Sequence, residues 1–471
     1  MAGATDTRRW RYPRCVVESA AASATSATGW RRLAGSTERV ALAVVAAMLT
    51  VGATIVAIVL AAKRPLSVDE ADIVAAVDDG FRSSLGAALE QEPGQTVYRA
   101  LMHPLAAAGA PECALRAPSI VAVLAAAALV LHVGRLLGGR RAGIVAATLL
   151  VLGATAAGIA FHARPHALAV LGVALTTALC TEALPRRSIV LWVSWAVVAA
   201  PLPLLHPACG AAVAAQLAAV AIGRHGLSRV ALPAAATVGM VAGLLVAAAA
   251  VERSGATASG DESTGAFATA VAHAGAWSPV ALAAAVAGVV VLARRGDRWQ
   301  ATLLAGLAAG PLLALGVAAL AFPVHPAAAG AIALPGVALA AGCGIAAIGD
   351  RRYAAGATAA ALAAPVAALV VVSATGPPAD WRRAARFVES RRGAAETVVV
   401  LPPRAAPAYS HYAPDARLAA IGRGDGVWVV LRTPWAGAVD AARDVVTTPR
   451  YALLAEQSFG DDLVVQHWVR P

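Results

Sequence analysis

Two adjacent carboxylates, Asp69 and Glu70, stand in the run P-L-S-V-D-E-A-D, a few residues beyond an apolar segment. Carboxylates so placed can take a proton from a hydroxyl nucleophile. A plainer role is also open. Ser67-x-x-Glu70 has the spacing of a helix capping box, and Asp69 in a first helical turn would complement the helix dipole. Basic and imidazole groups recur at the ends of later apolar segments: Arg99, His103, Arg116, then His162, Arg164 and His166 in F-H-A-R-P-H-A-L, His206 in L-L-H-P, and His325. A guanidinium fork suits phosphate oxygens. Snorkelling to lipid headgroups for Arg116 and Arg164, and wet helix ends for the histidines, are the ordinary alternatives. A cluster of these histidines could bind a divalent ion, but no His-Glu pair has metal-ligand spacing, so no obligatory metal is expected.

The elements that must position these groups follow from composition. Of 471 residues, 59% are hydrophobic and 14% charged, with mean hydropathy +0.69, which excludes a soluble globular chain and a disordered one. The formal net charge of +11 lies in short loops between apolar runs, not in a patch, and Lys63 is the only lysine, so nucleic acid is excluded as a partner. The five cysteines are scattered singly and suggest neither zinc nor disulfides. Apolar runs near 40–62, 117–137, 142–160, 166–184, 188–205, 208–223, 230–251, 278–293, 301–322, 327–348 and 354–374 predict about eleven spans.

Twelve arginines fall in one set of short loops and two, Arg164 and Arg253, in the other. Basic loops are retained in the cytoplasm, so a basic tail at 1–39 is placed there and two long segments, 63–116 and 375–471, outside. Arg8-Arg9 superficially matches a twin-arginine signal, but the first apolar run starts some thirty residues later and lacks a cleavage site, so it is expected to be a retained span. In the first exterior segment Ile73, Val77, Phe81, Leu85 and Leu89 recur every four residues, predicting an amphipathic helix on the bilayer interface. In the second, an amphipathic helix from Asp380, strands at 397–401 and 427–431, a helix at 435–446 and a strand at 463–469 predict a small α/β domain. That domain has no catalytic motif, so it is expected to be a structural or acceptor-docking module. Tyr409, His411 and Tyr412 would line a sugar-binding face or fill its core.

The D-E pair after the first span, the A-L-R-A-P-S run from Ala114 to Ser119 opening the second, A-R-P-H at the outer end of the third, and L-L-H-P with Gln216 ten residues beyond His206 occur in order on one membrane side. This arrangement resembles the C-class (GT-C superfold) membrane glycosyltransferases, in the branch of dolichyl- or polyprenyl-phosphate-mannose protein mannosyltransferases and lipid A aminoarabinose transferases. The chain departs from the family pattern where R-Y usually precedes L-P near the tenth span: here the run is V-H-P-A-A-A-G-A-I-A-L-P, from Val324 to Pro335. The resemblance implies an all-α polytopic core at 40–374, with the exterior loop 63–116 catalytic, and an extracytoplasmic α/β domain at 375–471, in the cell (plasma) membrane.

The resemblance further implies a polyprenyl-phosphate sugar as donor, mannose the favoured sugar, and an extracytoplasmic glycan, lipid or protein hydroxyl as acceptor. A lipid phosphate leaves as a stable anion, so one carboxylate acting as base suffices and the sugar carbon inverts. Asp69 is the expected base, with Glu70 beside it in the catalytic set. Arg116 and Arg164, with Arg99, His162, His166 and His206, are expected to bind the donor phosphate or the substrate. A transporter or flippase of lipid-linked sugar is the rival reading, set back by the scarcity of acidic residues inside the spans. A non-catalytic scaffold of the same fold is the third.

Overall fold

The computed structural model describes residues 27–77, 80–91, 96–156, 158–186, 188–206, 208–223, 278–319, 327–377, 379–419, 425–433 and 451–470. The chain divides into Met1–Ala46 and Ala47–Pro471. Of the first unit only the N-terminal part of one helix is described. That helix, α1 (Ala27–Lys63), is followed by α2 (Val68–Ala75), α3 (Phe81–Gln91), α4 (Thr96–Ala107), α5 (Glu112–Ala156), α6 (His166–Arg186), α7 (Ile189–Ala199), α8 (Leu202–Leu205) and α9 (Ala208–Ile222). After the undescribed stretch come α10 (Pro279–Arg294), α11 (Arg298–Ala319), α12 (Ala327–Ala346) and α13 (Arg351–Ala374).

Among the described residues, four segments are long and apolar enough to cross a membrane: Val40–Lys63, Glu112–Thr155, His166–Arg186 and Arg351–Ala374. Shorter apolar helices cover 189–205, 208–222, 279–294 and 330–346, where further spans were expected. The expected span at 230–251 lies outside the described residues. The spans expected at 117–137 and 142–160 are the two arms of α5, broken at Gly139 (φ 85°, ψ 178°), a conformation essentially confined to glycine.

The surfaces of these helices identify their solvent. On α1, Met48, Val51, Ile55 and Ile58 are exposed along one helical stripe while Ala53, Ala57, Leu60 and Ala61 are buried on another. Small residues turned inward and branched apolar ones outward is the arrangement a bilayer favours. On α7, Ile189, Val190, Val193 and Val197 are exposed and Trp192 and Trp195 buried. The Trp195 indole N–H donates to Gln216 Oε1 (2.6 Å), and the Gln216 amide donates to Thr176 Oγ1 (2.9 Å) and Thr177 Oγ1 (3.1 Å). This fully satisfied network ties α6, α7 and α9 together inside an otherwise apolar core.

The C-terminal region contains α14 (Trp381–Glu389), β1 (Thr397–Leu401), α15 (Ala406–Ser410), β2 (Gly426–Arg432), β3 (Ala452–Ser458) and β4 (Leu463–Val469). The sheet order is β1-β2-β4-β3, with β1 and β2 parallel and the other pairs antiparallel. Helix α14 and the strands at 397–401, 427–431 and 463–469 lie where expected. Strand β3 was not foreseen, because A-L-L-A-E-Q-S has no strand-favouring residues and is an exposed edge. The helix expected at 435–446 lies outside the described residues.

The 63–116 segment differs from the single amphipathic helix its periodicity predicts. It breaks into α2 and α3 at Gly80, which takes φ +84°. Ile73 is then buried, whereas Phe81 and Leu89 are exposed, so the stripe serves two surfaces. Ile73, Leu66 and Ala71, with Tyr98 and Met102 of α4, enter one apolar core with Trp381, Tyr409, Trp428 and Val430 of the C-terminal region. The 63–116 segment and the sheet unit therefore share a core rather than standing apart.

Candidate functional site

Helix α2 carries the two carboxylates in opposite circumstances. The capping box is formed: the Ser67 hydroxyl accepts from the Glu70 N–H (3.4 Å), and Glu70 Oε2 accepts from the Ser67 N–H (2.8 Å). Glu70 is buried and its remaining lone pairs are also taken. Oε1 accepts from Arg116 Nε (2.9 Å) and the Ala163 N–H (2.6 Å), and Oε2 accepts from Arg116 Nη2 (2.8 Å). Burial by itself would raise the Glu70 pKa, but the Arg116 hydrogen bonds and positive charge outweigh it and hold the carboxyl down to about 2.

Arg116 is equally committed. Besides its two bonds to Glu70, it donates to the carbonyls of Ala61 (2.8 Å), Arg64 (2.7 Å) and Pro65 (2.8 Å). All five guanidinium N–H groups are thereby used. The pair closes the C-terminal end of α1, the start of α2 and the 158–165 turn onto one point, Ala163 contributing its N–H from that turn.

Asp69, one residue earlier, projects differently. Its side chain is 47% exposed and forms an ion pair with Arg164, whose Nη2 lies 2.7 Å from the carboxylate, with Arg164 40% exposed. Arg164 lies in the same turn as Ala163, so the Glu70 anchor sets the spacing of the Asp69–Arg164 pair. His162 closes the turn, its Nδ1 2.6 Å from the Gly158 carbonyl. Burial lowers the His162 pKa, with the Glu70 carboxylate opposing, so this imidazole is neutral near pH 7.

Next in the chain, His166 meets His206 edge to face with ring centroids 6.0 Å apart. His206 Nδ1 accepts from the Ala208 N–H (3.1 Å), which leaves its Nε2 for another partner. Among the described residues, Arg164 Nε and His166 Nδ1 are buried atoms without a hydrogen-bond partner. A buried guanidinium N–H without an acceptor is costly, and a ligand oxygen is the simplest way to satisfy it.

Of the expected site residues, Asp69, Arg164, His162, His166 and His206 are brought into this cluster. Arg99 is not among them: it is buried and paired with Asp72 (2.6 Å), joining α4 to α2. His103 packs edge on against Phe81 (5.1 Å). His325 lies outside the described residues. No group of His, Cys, Asp and Glu able to hold a metal occurs among the described residues.

Sequence reasoning missed two participants, Glu112 and Arg382, and gave Tyr412, which joins them, only a sugar-face or core role. Arg382 Nη2 donates to Glu112 Oε2 (2.7 Å), the Tyr412 hydroxyl donates to Glu112 Oε1 (2.9 Å), and the Leu66 N–H donates to Tyr412 Oη (2.7 Å). Separations of about 270 to 346 residues leave no local signal for these contacts. A cavity of about 460 Å³ adjoins them, lined by Ala62, Val74, Leu115, Glu112, Arg382 and His411. Val74 is one turn from Glu70 on α2, so the cavity lies on the Glu70 face and not at Asp69. No protein-family model and no curated protein matches the chain.

Proposed function

We propose that this chain is a multi-pass membrane glycosyltransferase, of about eleven spans, that moves a sugar from a polyprenyl phosphate to an acceptor hydroxyl outside the membrane. The supporting observation is the accessible Asp69–Arg164 pair beside two buried atoms that lack partners, Arg164 Nε and His166 Nδ1. A phosphodiester oxygen satisfies the Arg164 donor, and a neutral imidazole next to it donates without adding charge. The arginine asymmetry of the loops supports a cytoplasmic N-terminus and an extracytoplasmic C-terminal unit, an orientation in which the cluster faces the outer leaflet of the cell membrane. Nucleotide sugars do not reach that surface, whereas a lipid-carried sugar does.

In the proposed step Asp69 accepts the proton of the acceptor hydroxyl as its oxygen attacks the anomeric carbon. The bond from that carbon to the phosphate oxygen breaks, the lipid phosphate leaves as an anion held by Arg164, and configuration inverts. Asp69 then returns the proton to water. Glu70 and Arg116, whose polar groups are saturated within the protein, hold the geometry rather than the substrate.

The test is transfer by membranes bearing wild-type protein or Asp69→Asn, given a panel of radiolabelled polyprenyl-phosphate sugars and cell-envelope acceptors. Loss of a general base lowers turnover by about 10² to 10⁴. Equal transfer by both proteins removes Asp69 as the base. Absence of transfer from every donor, alongside movement of lipid-linked sugar across the bilayer, replaces the transferase with a flippase.

A further inference from the structure

We propose that the C-terminal sheet unit is a positioning element of the catalytic helix, acting through a clasp of Tyr412, Glu112 and Arg382 on the backbone that carries Asp69. The inference rests on the transferase reading above. Leu66 immediately precedes Ser67, the N-cap of α2, and Asp69 follows three residues later. The Leu66 N–H donates to the Tyr412 hydroxyl oxygen, and that hydroxyl donates onward to Glu112. Arg382 grips the other Glu112 oxygen, and its guanidinium lies 5.6 Å from the Tyr412 ring centroid.

Tyr412 follows α15 and Arg382 sits in the first turn of α14, so the clasp exists only when the C-terminal unit is folded. Arg116 holds the carbonyls of Arg64 and Pro65, while Tyr412 holds the next N–H. Residues 64–66 are thus fixed by groups from two parts of the chain, and the direction in which α2 leaves them is fixed too. Burial and the nearby Glu112 charge raise the Tyr412 pKa, so the phenol stays protonated and keeps both bonds. Leu66 is fully buried against the same core as Trp381 and Tyr409, which ties the hydrogen bonds to apolar packing.

The experiment uses the full chain in lipid nanodiscs, comparing wild type, Tyr412→Phe and Glu112→Gln by hydrogen-exchange mass spectrometry and by sugar transfer. Tyr412→Phe keeps the ring and removes the hydroxyl, so the sheet stays folded, as unchanged exchange in β2 and β4 would verify. The expected results are exchange at residues 66–72 faster by about three- to tenfold, the consequence of the hydrogen bond lost at the Leu66 N–H. Turnover falls by about tenfold with the KM for donor unchanged, because misplacement of the base acts on the chemical step. Glu112→Gln, which can still accept from Tyr412, recovers part of both. Unchanged protection at 66–72 in Tyr412→Phe overturns the clasp. Faster exchange with undiminished turnover overturns the positioning role. A wild-type protein that transfers no sugar rejects the transferase reading instead, and the exchange measurement then decides the clasp on its own.

Discussion

Asp69 and Glu70 are neighbours of similar chemistry, and their surroundings divide the work between them. Glu70 gives all its lone pairs to protein donors, so its removal is a stability matter. Glu70→Gln leaves the buried Arg116 charge uncompensated, and a loss of roughly 3–5 kcal/mol is expected from thermal unfolding in detergent. The pH dependence follows from the depressed folded-state pKa. Folding favours the ionised carboxylate, so its contribution is complete above the unfolded value of about 4.3 and is lost as pH falls towards about 2. Wild type should lose melting temperature steeply across that window, and Glu70→Gln should start lower and lack that component of the decline. Asp69→Asn alters an exposed pair and should shift stability by less than about 1 kcal/mol while removing transfer. A large destabilisation by Asp69→Asn would reassign Asp69 to structure.

At the scale of elements, glycines decide how closely the apolar helices approach. Gly288 of α10 and Gly344 of α12 lie against one another, and a Cβ on Gly344 would collide with the Ala284 carbonyl of the facing helix. Backbone cannot give way as a flexible side chain can. Gly344→Leu should therefore destabilise by about 1–3 kcal/mol or more, seen as a lower melting temperature and a smaller monodisperse fraction. Normal behaviour of that variant would mean the two helices pack elsewhere. Gly139 has a different task, holding the reversal between the arms of α5 at φ 85°. Elsewhere glycine undoes the sequence pattern: the four-residue recurrence from Ile73 to Leu89 reads as one helix, but Gly80, at positive φ, stands between two helices. Periodicity carries no information about such a break, since the apolar spacing is unaffected by it.

Over the whole molecule, the proposed transfer requires the 63–116 segment to face the outside, where a lipid-carried sugar is available. Cys113 is exposed and lies within the 63–116 segment, whereas Cys180, Cys209 and Cys343 are buried. A membrane-impermeant maleimide applied to intact cells should label wild type and not Cys113→Ala. Labelling at Cys113 only after permeabilisation would invert the topology and exclude an outer-leaflet donor. Helix α1, with its exposed Met48, Val51 and Ile55, would face lipid under either orientation, because hydropathy is blind to direction.

Apolar composition, the arginine asymmetry, most of the membrane-region helices and three of the four strands were legible in the residues, because hydropathy and periodicity are local and additive along the chain. The Asp69, Arg164 and His166 set was legible as residue types at helix ends. The division between Asp69 and Glu70 was open at that level, since a capping box and a catalytic pair share the same spacing. Only the tertiary structure decided it, by bringing Arg116 and the Ala163 N–H onto one carboxylate and leaving the other exposed. The Tyr412–Glu112–Arg382 clasp was likewise invisible. Hydrogen bonds between residues hundreds of positions apart are set by how the chain closes on itself, and no periodicity in the sequence encodes that.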